Sequence, residues 1–175
     1  SMKEEKWWLP FLQYDMGISF SNQSNKFTIT GKKKLIEWIL LVCFLEKRVL
    51  EEINYIFCDD TFLLTLNKQY LKHTTLTDII TFDYSTRKKI NAEIYISINR
   101  VRANATTYKV SLAEELRRVM IHGVLHCIGF TDKTNRTRAV MRRMENKYLQ
   151  LYSEMSWVSR ETKVIFNTVK VPLRY

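Results

Sequence analysis

Two of the three histidines in the chain, His122 and His126, stand four residues apart. On an α-helix, residues at this spacing lie on the same face, so both imidazoles can reach one cation. Gly129 follows where a helix often ends in a left-handed residue, and Asp132 comes after the turn. Two imidazoles and one carboxylate make three ligands of a tetrahedral site and leave the fourth position for water. The sequence therefore predicts a catalytic metal centre held by His122, His126 and Asp132, and zinc is the ion that we expect.

Zinc proteases also carry two histidines at this spacing on a helix. They place a glutamate directly after the first histidine as the general base, and here that position is Gly123. The spacing from His122 through Gly129 to Asp132 nevertheless matches the longer layout of the metzincin proteases. A zinc metalloprotease of metzincin type is therefore an alternative, weakened by the missing base.

The histidine motif also resembles that of a known family. Residues 121–133 read Ile-His-Gly-Val-Leu-His-Cys-Ile-Gly-Phe-Thr-Asp-Lys. They are similar to the pattern His-Gly-x-Leu-His-x-x-Gly-Tyr-Asp-His of the YbeY family, bacterial metal-dependent endoribonucleases that act in ribosomal RNA maturation. Three further segments fit the family in order and spacing: 66–70 (Leu-Asn-Lys-Gln-Tyr), 77–82 (Thr-Asp-Ile-Ile-Thr-Phe) and 92–97 (Ala-Glu-Ile-Tyr-Ile-Ser). The resemblance covers roughly residues 53–151 and extends more loosely from residue 18.

The chain departs from the family pattern at two important positions. The third metal ligand of the family is usually histidine, and here it is Asp132, an acceptable but harder zinc ligand. The arginine expected after Tyr70, which in the family is thought to act on the phosphate, is Leu71. Lys72 could supply a point charge beside it, without the bidentate fork of arginine. The loss of that arginine keeps open a second alternative, a non-catalytic ribosome- or RNA-binding factor with a structural metal.

The charge of the chain indicates a polyanionic partner. Twenty-eight lysines and arginines against 18 acidic residues give a net charge of +10, which favours RNA or an anionic membrane surface. The basic residues cluster in three places: Lys32, Lys33 and Lys34; Arg87, Lys88 and Lys89; and Arg136, Arg138, Arg142 and Arg143. We expect Lys72, Lys133 and Arg136 to bind the RNA backbone by charge. Tyr70 and Phe130 are candidates for stacking on unpaired bases, although aromatic residues more often belong to the core.

Composition and length predict one globular domain inside the cell. The chain has 175 residues, 46% of them hydrophobic, and only four glycines and two prolines. The longest apolar run, 38–45, is far shorter than the roughly 20 residues of a membrane helix, so we expect no membrane partner. Three cysteines without regular spacing build no disulfide framework, and the first residues show no signal-peptide pattern. We therefore expect a cytoplasmic protein.

Hydrophobic periodicity predicts an α+β fold with α/β character. Strands are expected at 18–21, 27–30, 53–58, 78–83 and 93–98, the last two forming a hairpin. Helices are expected at 32–48, from Asp59 or Asp60 to Tyr70, from a capping box at Ser111 to Gly129, and at 136–152. The resemblance implies a small mixed sheet of about four strands covered by helices, with the histidine helix lining a metal cleft. We expect one catalytic domain over 1–153 and an extension of unknown structure over 154–175.

Together these features predict a metal-dependent endoribonuclease that prefers single strands. The residues and the charge indicate a metal-dependent hydrolase that acts on a polyanion. The resemblance implies the rest: precursor ribosomal RNA as substrate, the small ribosomal subunit as partner, and a role in ribosomal RNA maturation and ribosome quality control.

Overall fold

The computed structural model describes residues 17–23, 26–71 and 76–161, and four strands of this part form one sheet. They are β1 (Ile18–Asn22), β2 (Val49–Cys58), β3 (Ile79–Asp83) and β4 (Lys89–Ser97). The strand order is β1-β2-β4-β3, in which β1, β2 and β4 run parallel and β3 is antiparallel to β4 at the edge. The predicted mixed sheet of four strands and the predicted hairpin are confirmed.

Helices lie between β1 and β2, between β2 and β3, and after β4. They are α1 (Lys32–Leu45), α2 (Asp60–Leu66), α3 (Ile98–Tyr108), α4 (Leu112–Ile128) and α5 (Asn135–Glu161). A π-helical turn (Asn67–Leu71) extends α2. The fold is therefore α+β, as predicted, and α4 is the histidine helix. None of the helices in the described ranges is long and apolar enough to cross a membrane.

The main core lies between one face of the sheet and the helices α1, α4 and α5. Alternate residues of β2 and β4 point into it, because side chains of a strand alternate between the two faces. Trp38 of α1 donates a hydrogen bond from Nε1 to the backbone oxygen of Tyr148, at 2.8 Å, and so joins α1 to α5. On the opposite face, α2 covers a smaller cluster formed by Leu63, Cys58 and Ile80.

Gly123 allows α4 to pack closely on the sheet. A Cβ atom at this position would lie 3.0 Å from Cδ1 of Ile79 and 3.1 Å from Cδ1 of Ile94. These distances are shorter than ordinary contacts between carbon atoms. Gly123, which directly follows His122 on α4, therefore sets how near the two histidines lie to β3 and β4.

Several sequence-based assignments are wrong or have other bounds in the structure. Strand β2 begins at Val49 rather than at residue 53, and β4 spans Lys89–Ser97 rather than 93–98. Residues 27–30, predicted as a strand, form no regular structure; Phe27 packs edge-on against Phe57 at 5.2 Å, so the alternation there reflects packing rather than strand pairing. The predicted helix 32–48 ends at Leu45. Lys47 takes a left-handed conformation (φ 57°), and the backbone amide of Arg48 donates a hydrogen bond to the backbone oxygen of Cys43.

One helix, α3, was not predicted. The side chain of Ser97 accepts a hydrogen bond from the amide of Arg100 and caps the helix. Ile98, Val101 and Ala105 are its buried residues. Their spacing of three and four residues behind a capping serine was the signal in the sequence.

The predicted domain boundary after residue 153 falls inside α5, which continues to Glu161. The division into 1–153 and 154–175 stays a prediction. Residues 163–172, for which the sequence suggested a strand or a tail, lie outside the described residues.

Candidate metal centre

Both ends of the histidine helix follow from local sequence. At its start, Ser111 Oγ accepts a hydrogen bond from the amide of Glu114, at 3.1 Å. At its end, Gly129 has the predicted left-handed conformation (φ 119°) and the amide of Phe130 donates to the oxygen of Leu125, at 3.0 Å. The chain turns sharply here, and Asp132 comes back toward the histidines.

The structure brings the three predicted ligands together. Nε2 of His122 lies 2.9 Å from Nε2 of His126, and Oδ2 of Asp132 lies 3.5 Å from the first and 3.6 Å from the second. Each residue offers one ligand atom, and these atoms lie within 4.8 Å of one another. All three side chains are partly exposed, so an ion and a substrate can reach them.

The donor set and its dimensions suit a small divalent cation. Ligand atoms of a tetrahedral zinc ion, about 2.0 to 2.2 Å from the metal, lie roughly 3.3 to 3.6 Å from one another. The two distances to Asp132 already have this value. The two imidazole nitrogens are closer because one hydrogen-bonds to the other, and a separation increased by roughly half an ångström would suit an ion. Three protein ligands leave a fourth position open, as at catalytic zinc sites.

A buried carboxylate that sequence analysis missed orients His122. Nδ1 of His122 donates to Oε1 of Glu145 on α5, at 2.7 Å. The other oxygen of Glu145 accepts from Arg118 at 3.0 Å, and Arg142 lies 3.4 Å from it. A carboxylate on the second nitrogen fixes the tautomer of a histidine ligand and increases its basicity. The available signal was a glutamate on the apolar face of α5, four residues after Met141 and three before Tyr148.

The electrostatics of the site favour ligands in their metal-binding forms. Burial, and then the charge of His122, lower the pKa of His126, which favours the neutral imidazole. Burial on its own would raise the pKa of Glu145, but hydrogen bonds from His122 and Arg118 outweigh it and lower that pKa. Metal-binding histidines must be neutral, and an ionised carboxylate is the stronger acceptor for the hydrogen bond from one.

Asp78, directly before β3, is a second carboxylate close to the site. Burial raises its pKa, against the effect of nearby His122. Its carboxylate accepts a hydrogen bond from Asn104 at 3.2 Å, and its backbone oxygen accepts one from the amide of Ser97. The segment 77–82, noted in the sequence for its likeness to the family, therefore contributes a titratable group beside His122.

The predicted RNA-binding residues have different surroundings. Lys133 and Arg136 are exposed on the ligand loop and at the start of α5. Lys72 lies outside the described residues. Arg138, counted in the same basic cluster, donates to the backbone oxygens of Asp132 and Lys133, at 3.2 and 3.3 Å. Arg138 therefore holds the ligand loop in place.

The two aromatic candidates also differ. The ring of Tyr70 is 57% exposed and stands edge-on to Phe82 at 5.4 Å. Phe130 is partly buried and packs against the main core. Only Tyr70 has the exposure that base stacking requires.

The position of Gly123 further weakens the metzincin-type alternative. The residue faces β3 and β4 rather than the histidines. A glutamate there would collide with Ile79 and Ile94 and could not act as a base at the metal.

Comparison with known proteins agrees with the motif. A sequence model of the family described as Endoribonuclease YbeY matches residues 18–153. A protein named Endoribonuclease YbeY from Flavobacterium psychrophilum is 50% identical over 135 residues, which cover 77% of this chain and 96% of that protein. One of the same name from Flavobacterium johnsoniae is 40% identical over 131 residues, 75% of this chain and 94% of the relative. The solution structure of TM1509 from Thermotoga maritima matches with a TM-score of 0.56 and 26% identity, over 82% of this chain and 93% of that one. The chain belongs to the Endoribonuclease YbeY family.

Proposed function

We propose that this protein is a zinc-dependent endoribonuclease that cuts single-stranded regions of ribosomal RNA precursors. The observation that supports this most directly is the convergence of His122, His126 and Asp132 within 4.8 Å in a chain of the Endoribonuclease YbeY family. Zinc is the proposed ion because the donors are two imidazoles and a carboxylate, with a fourth position free.

Each ligand residue has a defined part in the proposed mechanism. His122 and His126 would bind the ion through Nε2, and Asp132 through a carboxylate oxygen. Once bound, a divalent cation supplies Lewis-acid chemistry: it lowers the pKa of water and stabilises the charge that builds on a phosphate. Glu145 fixes the ring of His122 through the 2.7 Å hydrogen bond, and Arg138 fixes the loop that carries Asp132.

The RNA is held next to this site by charge and stacking. Exposed Lys133 and Arg136 on the ligand loop and α5 attract the backbone without reading its sequence. Lys72, at the position after the arginine of the family, is proposed for the same task. Tyr70 offers an exposed ring for an unpaired base. We propose that the protein acts in the cytoplasm, in association with the small ribosomal subunit.

The direct test is cleavage of a single-stranded fragment from precursor small-subunit ribosomal RNA by protein loaded with zinc. We expect internal cuts that stop when the metal is removed with EDTA and resume when zinc is restored. The Asp132→Ala variant serves as a control for contaminating nuclease and should not cut. Tight RNA binding without any cleavage by metal-loaded protein would instead favour the non-catalytic binding factor.

A further inference from the structure

Two cations of different helices meet at one aromatic ring, away from the metal ligands. Nζ of Lys34, on α1, lies 3.9 Å from the centre of the Tyr152 ring, and the guanidinium carbon of Arg117, on α4, lies 4.4 Å from it. Tyr152 belongs to α5, so three helices contribute to this cluster. A cation over an aromatic face is stabilised by the ring, but two cations at one ring also repel each other.

The ring that holds the two cations is itself fixed. Tyr152 stands edge-on to Trp38, with ring centres 5.3 Å apart. Trp38 is fully buried and its Nε1 donates to the backbone of Tyr148. Lys34 and Arg117 are therefore held against a fixed aromatic ring. They would lose less side-chain freedom on binding a ligand than freely moving surface side chains do.

The positive charge of this surface has no carboxylate paired with it in the described part of the chain. Among the described residues, no carboxylate forms an ion pair with Lys34 or Arg117. Lys32 and Lys33 are exposed beside Lys34, and the first turn of α1 has no acidic residue. Burial, and then the charge of Arg117, lower the pKa of Lys34, so the cluster pays an electrostatic cost that an anionic ligand would relieve.

Two of the three helices that form the cluster, α4 and α5, also carry the two histidines and Glu145. Arg118, next to Arg117, donates to Glu145, which holds His122. Tyr152 follows Glu145 by seven residues on α5, about 10 Å along the helix axis. A single strand bound at the metal would need to extend only a few nucleotides to reach Tyr152.

We propose that Lys34 and Arg117, with Lys32 and Lys33, form a second surface that binds the phosphate backbone of RNA outside the metal cleft. The inference rests on the proposed function in taking RNA as the ligand. It adds that the protein binds its substrate both at the metal centre and at this second surface, and therefore prefers strands long enough to reach both.

The test compares the binding of two fluorescent single-stranded RNAs, of five and twenty nucleotides, over a series of salt concentrations. For the Lys34→Gln, Arg117→Gln double variant we expect at least a tenfold loss of affinity for the longer RNA and little change for the shorter. Each phosphate contact in a single strand adds about 0.7 to the slope of log affinity against log salt, so the slope should fall by about 1.4. The control, Arg102→Gln with Lys109→Gln, removes the same net charge from exposed positions on α3 and directly after it, outside the three basic clusters.

Binding rather than cleavage is measured, so failure of the proposed catalysis would not affect the result. The Lys32→Gln, Lys33→Gln variant, which leaves the ring contacts of Tyr152 intact, should show the same dependence on length if the first variant does not fold. An unchanged salt slope, or an equal loss in the control, would overturn the proposal. So would competition by poly-glutamate that disappears in the variant while RNA binding is retained, because the surface would then serve an acidic protein.

Discussion

The two histidines of the site are oriented in different ways. His122 donates to the buried carboxylate of Glu145, whereas Nε2 of His126 lies against Nε2 of His122, at 2.9 Å. Of these partners, only Glu145 can be replaced without removing a predicted ligand. His122 therefore allows the effect of orientation on metal binding to be measured separately from the loss of a ligand.

Glu145→Gln should weaken metal binding although Glu145 is not itself a predicted ligand. Glutamine retains an oxygen for the hydrogen bond but loses the negative charge, and such changes behind a metal ligand cost about 10- to 100-fold in affinity. Competition with a chromogenic zinc chelator would measure the effect. Glu154→Gln, on an exposed part of the same helix, is the matched control. Equal affinities for a folded Glu145→Gln protein and the parent would show that the contact does not act on the metal.

The ligand assignment predicts a graded response at the three positions. His122→Ala or His126→Ala should lose most bound zinc, because a site of three ligands then keeps only two. Asp132→Ala should also lose affinity, whereas Asp132→His should retain the metal, since the family usually has histidine there. Metal content after gel filtration, by elemental analysis, would check the series. Full occupancy in Asp132→Ala would place the third ligand elsewhere.

At the scale of the elements, the stability of the fold and the position of the two histidines depend on how closely α4 packs against the sheet. Gly123→Ala would place a methyl group 3.0 Å from Ile79 and 3.1 Å from Ile94. Overpacking of this kind costs about 1 to 3 kcal/mol, against a gain of up to about 1 kcal/mol from helix propensity. We expect a net loss of about 1 kcal/mol in the free energy of unfolding, measured with urea, together with weaker zinc binding as the histidines shift.

Gly129→Ala separates backbone strain from crowding. Nothing lies within 4 Å of a Cβ at this position, but its φ of 119° is unfavourable for alanine. We expect a loss of stability of at least about 1 kcal/mol without any clash. Gly123→Ala could instead be as stable as the parent while Gly129→Ala is destabilised. Ile79 and Ile94 would then move aside for the added methyl group, and their contact with Gly123 would not position the histidine helix.

The elements that the sequence predicted correctly are those with strong local signals. The histidine helix has a capping serine at one end and a glycine at the other, and the hairpin of β3 and β4 has alternating apolar residues around a polar turn. Helix α3 was missed because most residues along its sequence are polar. The contact between Glu145 and His122 spans 23 residues, and local spacing along the chain does not predict which side chains of two packed helices will meet.

At the scale of the whole molecule, the three buried cysteines make the stability of the protein depend on pH. Cys43, Cys58 and Cys127 are free and buried. Burial raises the pKa of each thiol to about 12, above the value of about 8.5 for an exposed thiol. The folded protein therefore binds these protons more tightly than the unfolded chain does.

This difference predicts that the protein loses stability in alkali. Below pH of about 8.5 the thiols are protonated in both states, and their contribution to stability is fully present. As the pH rises toward 12, unfolding releases protons, so the free energy of unfolding falls, by at most about 1.4 kcal/mol per pH unit for each thiol. Urea unfolding of the metal-free protein between pH 7 and 11 would measure this slope. Cys127→Ala should make the slope shallower by up to one proton, and a free energy of unfolding that stays constant to pH 11 would show that the thiols ionise without opening the core.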